Sequence, residues 1–167
     1  MKKEVDRNFS ILNACSGEVV GYKMPYYTYL MQLAGFKLNY KYSLHTNRIR
    51  SHGLRDSIDS LIADGSITNK YKITDIGFEA ISQYGLTVDV IKKADVVVEY
   101  VKNVSVDTLF FACVINMVIE DKLNNSGYIS LVTDKQEVLD TVSYLCGEKV
   151  FEEFDACIGA LRKIKSC

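Results

Sequence analysis

The sequence predicts a mainly α-helical protein: a winged helix-turn-helix N-terminal part followed by a C-terminal helical bundle. Three observations lead there. A capped amphipathic segment at residues 51–64 runs into a short hairpin signal at 67–73. That succession is the second half of a winged helix-turn-helix. Apolar residues then recur at three- and four-residue intervals through most of the second half, and after Leu86 only residues 128–132 read as a strand.

Taken in order, residues 7–16 form a first helix with Phe9, Leu12, Ile11 and Cys15 inward and Gly17 as its stop. Pro25 suits the first turn of the next helix, where its missing N–H costs nothing. Tyr26, Tyr29, Leu30, Leu33 and Ala34 mark its apolar face, and Gly35 stops it. Residues 36–44 are tyrosine-rich and partly alternating, which fits either an extended strand or a loop pinned by aromatics. Ser51 is a good N-cap because its hydroxyl accepts from the first turn. Leu54, Ile58, Leu61 and Ile62 form one stripe, and Gly65 supplies a left-handed end. Ile67 to Ile73 reads as two very short strands around Asn69-Lys70. Thr74 caps the following helix, residues 74–84, with Asp75 at its positive end and Ile76, Ala80 and Ile81 inward.

The second half follows the same logic. Ile91, Ala94, Val98 and Val101 predict a helix over 88–101 despite its valines. A helix opened by Val104 or Ser105 runs to about residue 122, apolar on most sides, and is expected to be the buried centre of this half around Ile115. Asp134 begins a further helix closed by Gly147, and residues 150–165 form the last one, with Phe151, Phe154, Ile158, Leu161 and Ile164 on one face. The expected domains are 1–84, winged-helix-like, and 85–167, helical, with packing as one unit left open.

The composition, 48% hydrophobic and 25% charged, is that of an ordinary globular chain able to bury a core. The first six residues lack the apolar core of a signal peptide. The most apolar run, 109–119, falls short of the ~20 residues a bilayer span needs. Five widely spaced cysteines without a C-x-x-C pair point to reduced thiols in a cytoplasmic protein. Charge is uneven. Residues 1–72 carry eleven Lys and Arg against six Asp and Glu, whereas 73–167 carry nine against fifteen. A basic first half is what a nucleic-acid partner needs.

Catalytic chemistry is hard to assemble. His45 and His52 are the only histidines, and they are not at zinc-ligand spacing with a third ligand. There is no Gly-rich phosphate loop, and the adjacent acids Glu120-Asp121 and Glu152-Glu153 read as solvated faces. No catalytic residue, metal or cofactor is expected. A cysteine hydrolase with an unassigned Cys/His pair is a distant third reading. The sequence favours a binding module, and the candidate DNA-binding residues are Arg48, Arg50, Arg55, Lys70 and Lys72. Arg48, Arg50 and Arg55 surround the start of the helix that would enter a major groove, and the lysines sit on the wing. Asp56, Asp59 and Asp64 on that helix argue the other way, toward a protein partner.

The motif Tyr42-x-Leu44-His45, Ser51-x-x-Leu54, Leu61, Gly65-x-Ile67, Tyr71-x-Ile73-Thr74-x-x-Gly77 resembles the pattern of the YwgA-like and Panacea (SocA-like) proteins over about residues 20–80. Arg48-Ile49-Arg50 stands where that pattern carries Gly-Pro-Tyr. The resemblance implies a non-enzymatic bacterial or phage module with a winged-helix-like N-terminal part, in some relatives an adaptor or antitoxin. From the basic residues around the Ser51 helix and the wing, the first expected partner is double-stranded DNA, in transcription regulation. The alternative is a protein bound in an antitoxin- or adaptor-like way. A membrane partner is not expected, and a homodimer is open.

Overall fold

The computed structural model describes residues 2–45 and 48–119, together with Glu152. The described chain is mainly helical. Its elements run α1 (Lys2–Ser16), a 3-10 turn (Gly21–Lys23), α2 (Met24–Leu33), β1 (Ser43–His45), β2 (Arg48–Arg50), α3 (His52–Ala63), α4 (Asp75–Gln83), α5 (Val88–Asn103) and α6 (Val106–Ile119). The expected strand at 128–132 and the helices from Asp134 and over 150–165 lie outside the described residues. So does the side chain of Ile115.

Helix α2 is the hub, with α1, α5, α6 and β2 packed around it. Its sequence is apolar or aromatic on nearly every side, so it is enclosed rather than amphipathic. Burying tyrosines and a threonine requires partners for their hydroxyls. Tyr27 donates to Asn13 Oδ1 at 2.8 Å, and Tyr29 to Asn116 Oδ1 at 2.6 Å. Thr28 donates to the Met24 carbonyl at 3.0 Å and accepts from Tyr42 at 3.0 Å. These bonds tie α1, α6 and the 36–42 segment to one helix.

Residues 36–42 form no strand, with Leu38 N donating to Phe36 O at 3.0 Å and Asn39 at φ +52°, so the loop alternative holds up to β1. The backbone is satisfied by side chains instead. Gln32 accepts from Tyr40 N at 2.6 Å and donates to Tyr40 O at 3.3 Å. Arg7 Nε donates to Leu38 O at 2.6 Å while its guanidinium lies 4.7 Å from the Tyr40 ring centre. Tyr29 and Tyr40 each meet Tyr42 edge-on.

The Ser51 cap is present: Ser51 Oγ accepts from Leu54 N at 3.3 Å. Leu54, Ile58 and Leu61 are buried and Ile62 is partly buried, as the stripe requires. Gly65 takes φ +79° and ends the helix. The expected pair of strands at 67–73 is shorter than expected. Ile67 and Ile73 form a single antiparallel bridge. The reason is local: Thr68 N donates to Lys72 O at 2.8 Å and Tyr71 N to Thr68 O at 2.9 Å, closing the chain within five residues.

Thr74 then does two jobs. Its Oγ1 accepts from Gly77 N at 3.3 Å and donates to Gly65 O at 2.6 Å and Ser66 O at 3.0 Å, so the α4 cap is tied to the α3 exit. Gly77 is the only buried residue of α4, and a Cβ there would run into the Ser66 carbonyl oxygen.

The antiparallel pairing of β1 with β2 is a second departure. It pairs Ser43 with Arg50 and His45 with Arg48. Arg48 and Arg50 thus stand on a strand, where the sequence only put them ahead of a helix.

Lys23 is buried between the 3-10 turn and the end of α5. Its Nζ donates to the carbonyls of Val101 (2.7 Å), Lys102 (3.0 Å) and Val104 (2.7 Å). An ammonium has three donors, and the C-terminal carbonyls of a helix need partners. Desolvation lowers the Lys23 pKa. Ser105 opens α6 by accepting from Thr108 N at 3.1 Å.

Candidate functional site

Side chains on one face of a strand are two residues apart. Ile49 is buried, so Arg48 and Arg50 on either side of it are exposed together. The chain turns at Ser51 and enters α3, which brings Arg55 from the second turn to the same place. Arg48, Arg50 and Arg55 line one open cleft of about 530 Å³, along with His52 and Asp59. Pro25, Ile58 and Tyr71 also line it, with the almost wholly buried Met24 and Leu54 beneath.

Arg55 Nε is 3.9 Å from Asp59 Oδ2, with both side chains largely exposed. Exposed pairs of this kind contribute about 0–1 kcal/mol, so the pair leaves Arg55 able to take another anion. Further along α3 Asp56 is exposed, as is Asp64 at its C-cap. Positive charge is therefore concentrated at the start of the helix and negative charge along its length.

Lys70 and Lys72 line a second depression of about 350 Å³, with Glu18, Ser16 and Val20 among its walls. Tyr71 lines both depressions. Of the five predicted residues, three share a cleft and two adjoin it across one aromatic side chain.

Tyr71 was not singled out from the sequence as a site residue. It has φ +58°, a left-handed conformation unusual for a bulky residue. Its ring lies over Gly21, where an added Cβ would stand 2.5 Å from Tyr71 Cε2. A tyrosine between two lysines in a turn carries no sign of that approach. The strand at Arg48–Arg50 did leave a trace: a β-branched residue between two polar ones, after the alternating Tyr42 and Leu44.

Cys15 and Cys113 are buried. Desolvation pushes the Cys15 thiol up to about 11, which holds it protonated and unreactive at neutral pH. Among the described residues, no three His, Cys, Asp or Glu side chains gather as metal ligands. No described helix is long and apolar enough to cross a membrane. Comparison with known protein families, curated proteins and solved structures finds no match.

Proposed function

We propose that the protein is a non-enzymatic winged-helix regulator that binds double-stranded DNA. In this reading α3 is the recognition helix and the 68–72 turn is the wing. The observation that carries it is the meeting of Arg48, Arg50 and Arg55 in one cleft at the N-terminal end of α3. Guanidiniums suit phosphate oxygens because they offer paired N–H donors in a plane. Lys70 and Lys72 extend the cationic surface past Tyr71. The resemblance over residues 20–80 supports the non-enzymatic part of this reading.

The test is duplex binding as a function of salt. Affinity for a random duplex should fall with salt on a log–log slope of about −0.9 per phosphate neutralised. Lys70→Ala and Lys72→Ala should each flatten the slope by roughly one unit. Arg55→Ala should blunt sequence preference if Arg55 meets a guanine edge.

A second reading is a protein-binding module. It is favoured by exposed Asp56 and Asp59 on α3, by Asp64 at its C-cap, and by Ile76 and Phe78 on α4, which are 56% and 53% exposed. Carboxylates on the outer face of a recognition helix repel phosphates. Absence of any duplex shift at micromolar protein and low salt, together with a stable protein complex from the native cell, would replace the first reading by this one.

A further inference from the structure

We propose that the arginine-lined cleft is also a site for a nucleoside monophosphate, which competes there with DNA; the competition rests on the regulator reading, whereas the site does not. The cleft holds more than a duplex backbone can use. Phosphates on a duplex need the guanidiniums of its rim. They gain nothing from Pro25 and Ile58, or from the Tyr71 ring, which also line it. At about 530 Å³ the cleft also falls in the size range of small-ligand sites, roughly 300–1,000 Å³.

Three features define the ligand. Arg48, Arg50 and Arg55 call for a group with several anionic oxygens, and a phosphomonoester supplies them. Tyr71 calls for a flat ring, because a fixed aromatic side chain stacks any nucleobase. The ring is fixed by its packing over Gly21, which has no side chain to displace it. Asp59 is the third feature. A carboxylate in the same cleft repels a bare anion, yet accepts hydrogen bonds from hydroxyl and amino groups. A ligand with phosphate at one end and donors at the other meets both requirements. The sugar and base of a nucleotide carry such donors.

The full chain is titrated calorimetrically with adenosine monophosphate, inorganic phosphate and adenosine in turn. The nucleotide should bind about tenfold or more tightly than either half. Arg48→Gln should weaken nucleotide and phosphate alike. Tyr71→Leu keeps the bulk and removes the flat ring, so it should weaken the nucleotide roughly tenfold and leave phosphate unchanged. Tyr71→Phe should retain nucleotide binding. Photolabelling of the unmodified protein with azido-adenosine monophosphate should mark the peptides containing Arg55 and Tyr71, a readout independent of whether the variants fold. Nucleotide binding no tighter than phosphate, wild-type affinity in a folded Tyr71→Leu, or labelling confined to other peptides would each overturn the site. A duplex that binds but is not displaced by the nucleotide overturns the competition and leaves the regulator reading standing. Nucleotide binding by a protein that shifts no duplex does the reverse.

Discussion

Helices α2 and α4 are of nearly equal length and opposite surroundings. Seven of the ten residues of α2 are buried, whereas only Gly77 is buried among the nine of α4. The first is held by side chains on all sides and by the hydroxyls of Tyr27, Thr28 and Tyr29, which find partners. The second is held by a cap, by a backbone approach too close for a side chain, and by partly buried Ile73, Ala80 and Ile81. The difference teaches where rigidity ends. The α2 bundle is enclosed, whereas the α3–turn–α4 unit leaves its outer faces exposed.

That contrast can be broken from several directions, and the largest effect is expected at alkaline pH. Burial pushes Tyr26 up to about 12 and also raises Tyr27, Tyr40 and Tyr42, with desolvation the main cause in each. A folded-state pKa above the unfolded value of about 10 means stability that is complete below that pH. It is lost as pH rises through the folded values. Lys23 acts in the opposite sense, because burial lowers its pKa; it is one group against these four tyrosines, Tyr84 and Cys15. Cooperative unfolding is therefore expected from about pH 10 upward, followed by circular dichroism together with tyrosinate absorbance. Early ionisation of all the tyrosines with helix content intact would refute it.

Next in size is Leu30→Ala, at the fully buried middle of α2. It should cost about 2–5 kcal/mol by removing buried methyl groups and leaving a cavity, read as a lower denaturant midpoint for the whole bundle. Gly77→Ala should cost about 1–3 kcal/mol by overpacking against the Ser66 backbone. Its signature is faster amide exchange in α4 with α2 still protected. Equal deprotection of both helices would mean that the two regions unfold as one.

The smallest effect compares the two caps. Ser51→Ala and Thr74→Ala each remove an N-cap acceptor, a loss of about 0.5–2 kcal/mol. Thr74→Ala should lie at the upper end and exceed Ser51→Ala, because Thr74 also bonds the Gly65 and Ser66 carbonyls. Matched melting curves for the two variants would remove that distinction.

The helices and their caps were legible in the sequence because they depend on near neighbours. Ser51, Gly65 and Thr74 act within a few residues of themselves, and the stripes of α3 and α5 repeat locally. The candidate arginines were legible as charges near a helix start. What escaped depends on residues far apart. The β1–β2 pair is the local exception, joining two weak alternating segments. The pinned 36–42 segment needs Arg7 and Gln32. The wall of the cleft needs Tyr71 to find Gly21, and no local pattern encodes a contact fifty residues long. The α1 helix also begins at Lys2 rather than Arg7, since its first turns are polar and show no stripe.

Lys23 gives the molecule a built-in clock. Its ammonium is engaged by the carbonyls of Val101 and Lys102 at the end of α5 and of Val104 just after it, and the side chain is only 9% exposed. An amine-directed reagent cannot modify it until α5 lifts away from the 3-10 turn. Exposed lysines such as Lys70 and Lys72 will be modified at the rate of the free amine. The lag of Lys23 behind them measures how often the α5 end opens in the native protein, without unfolding it and without introducing a probe.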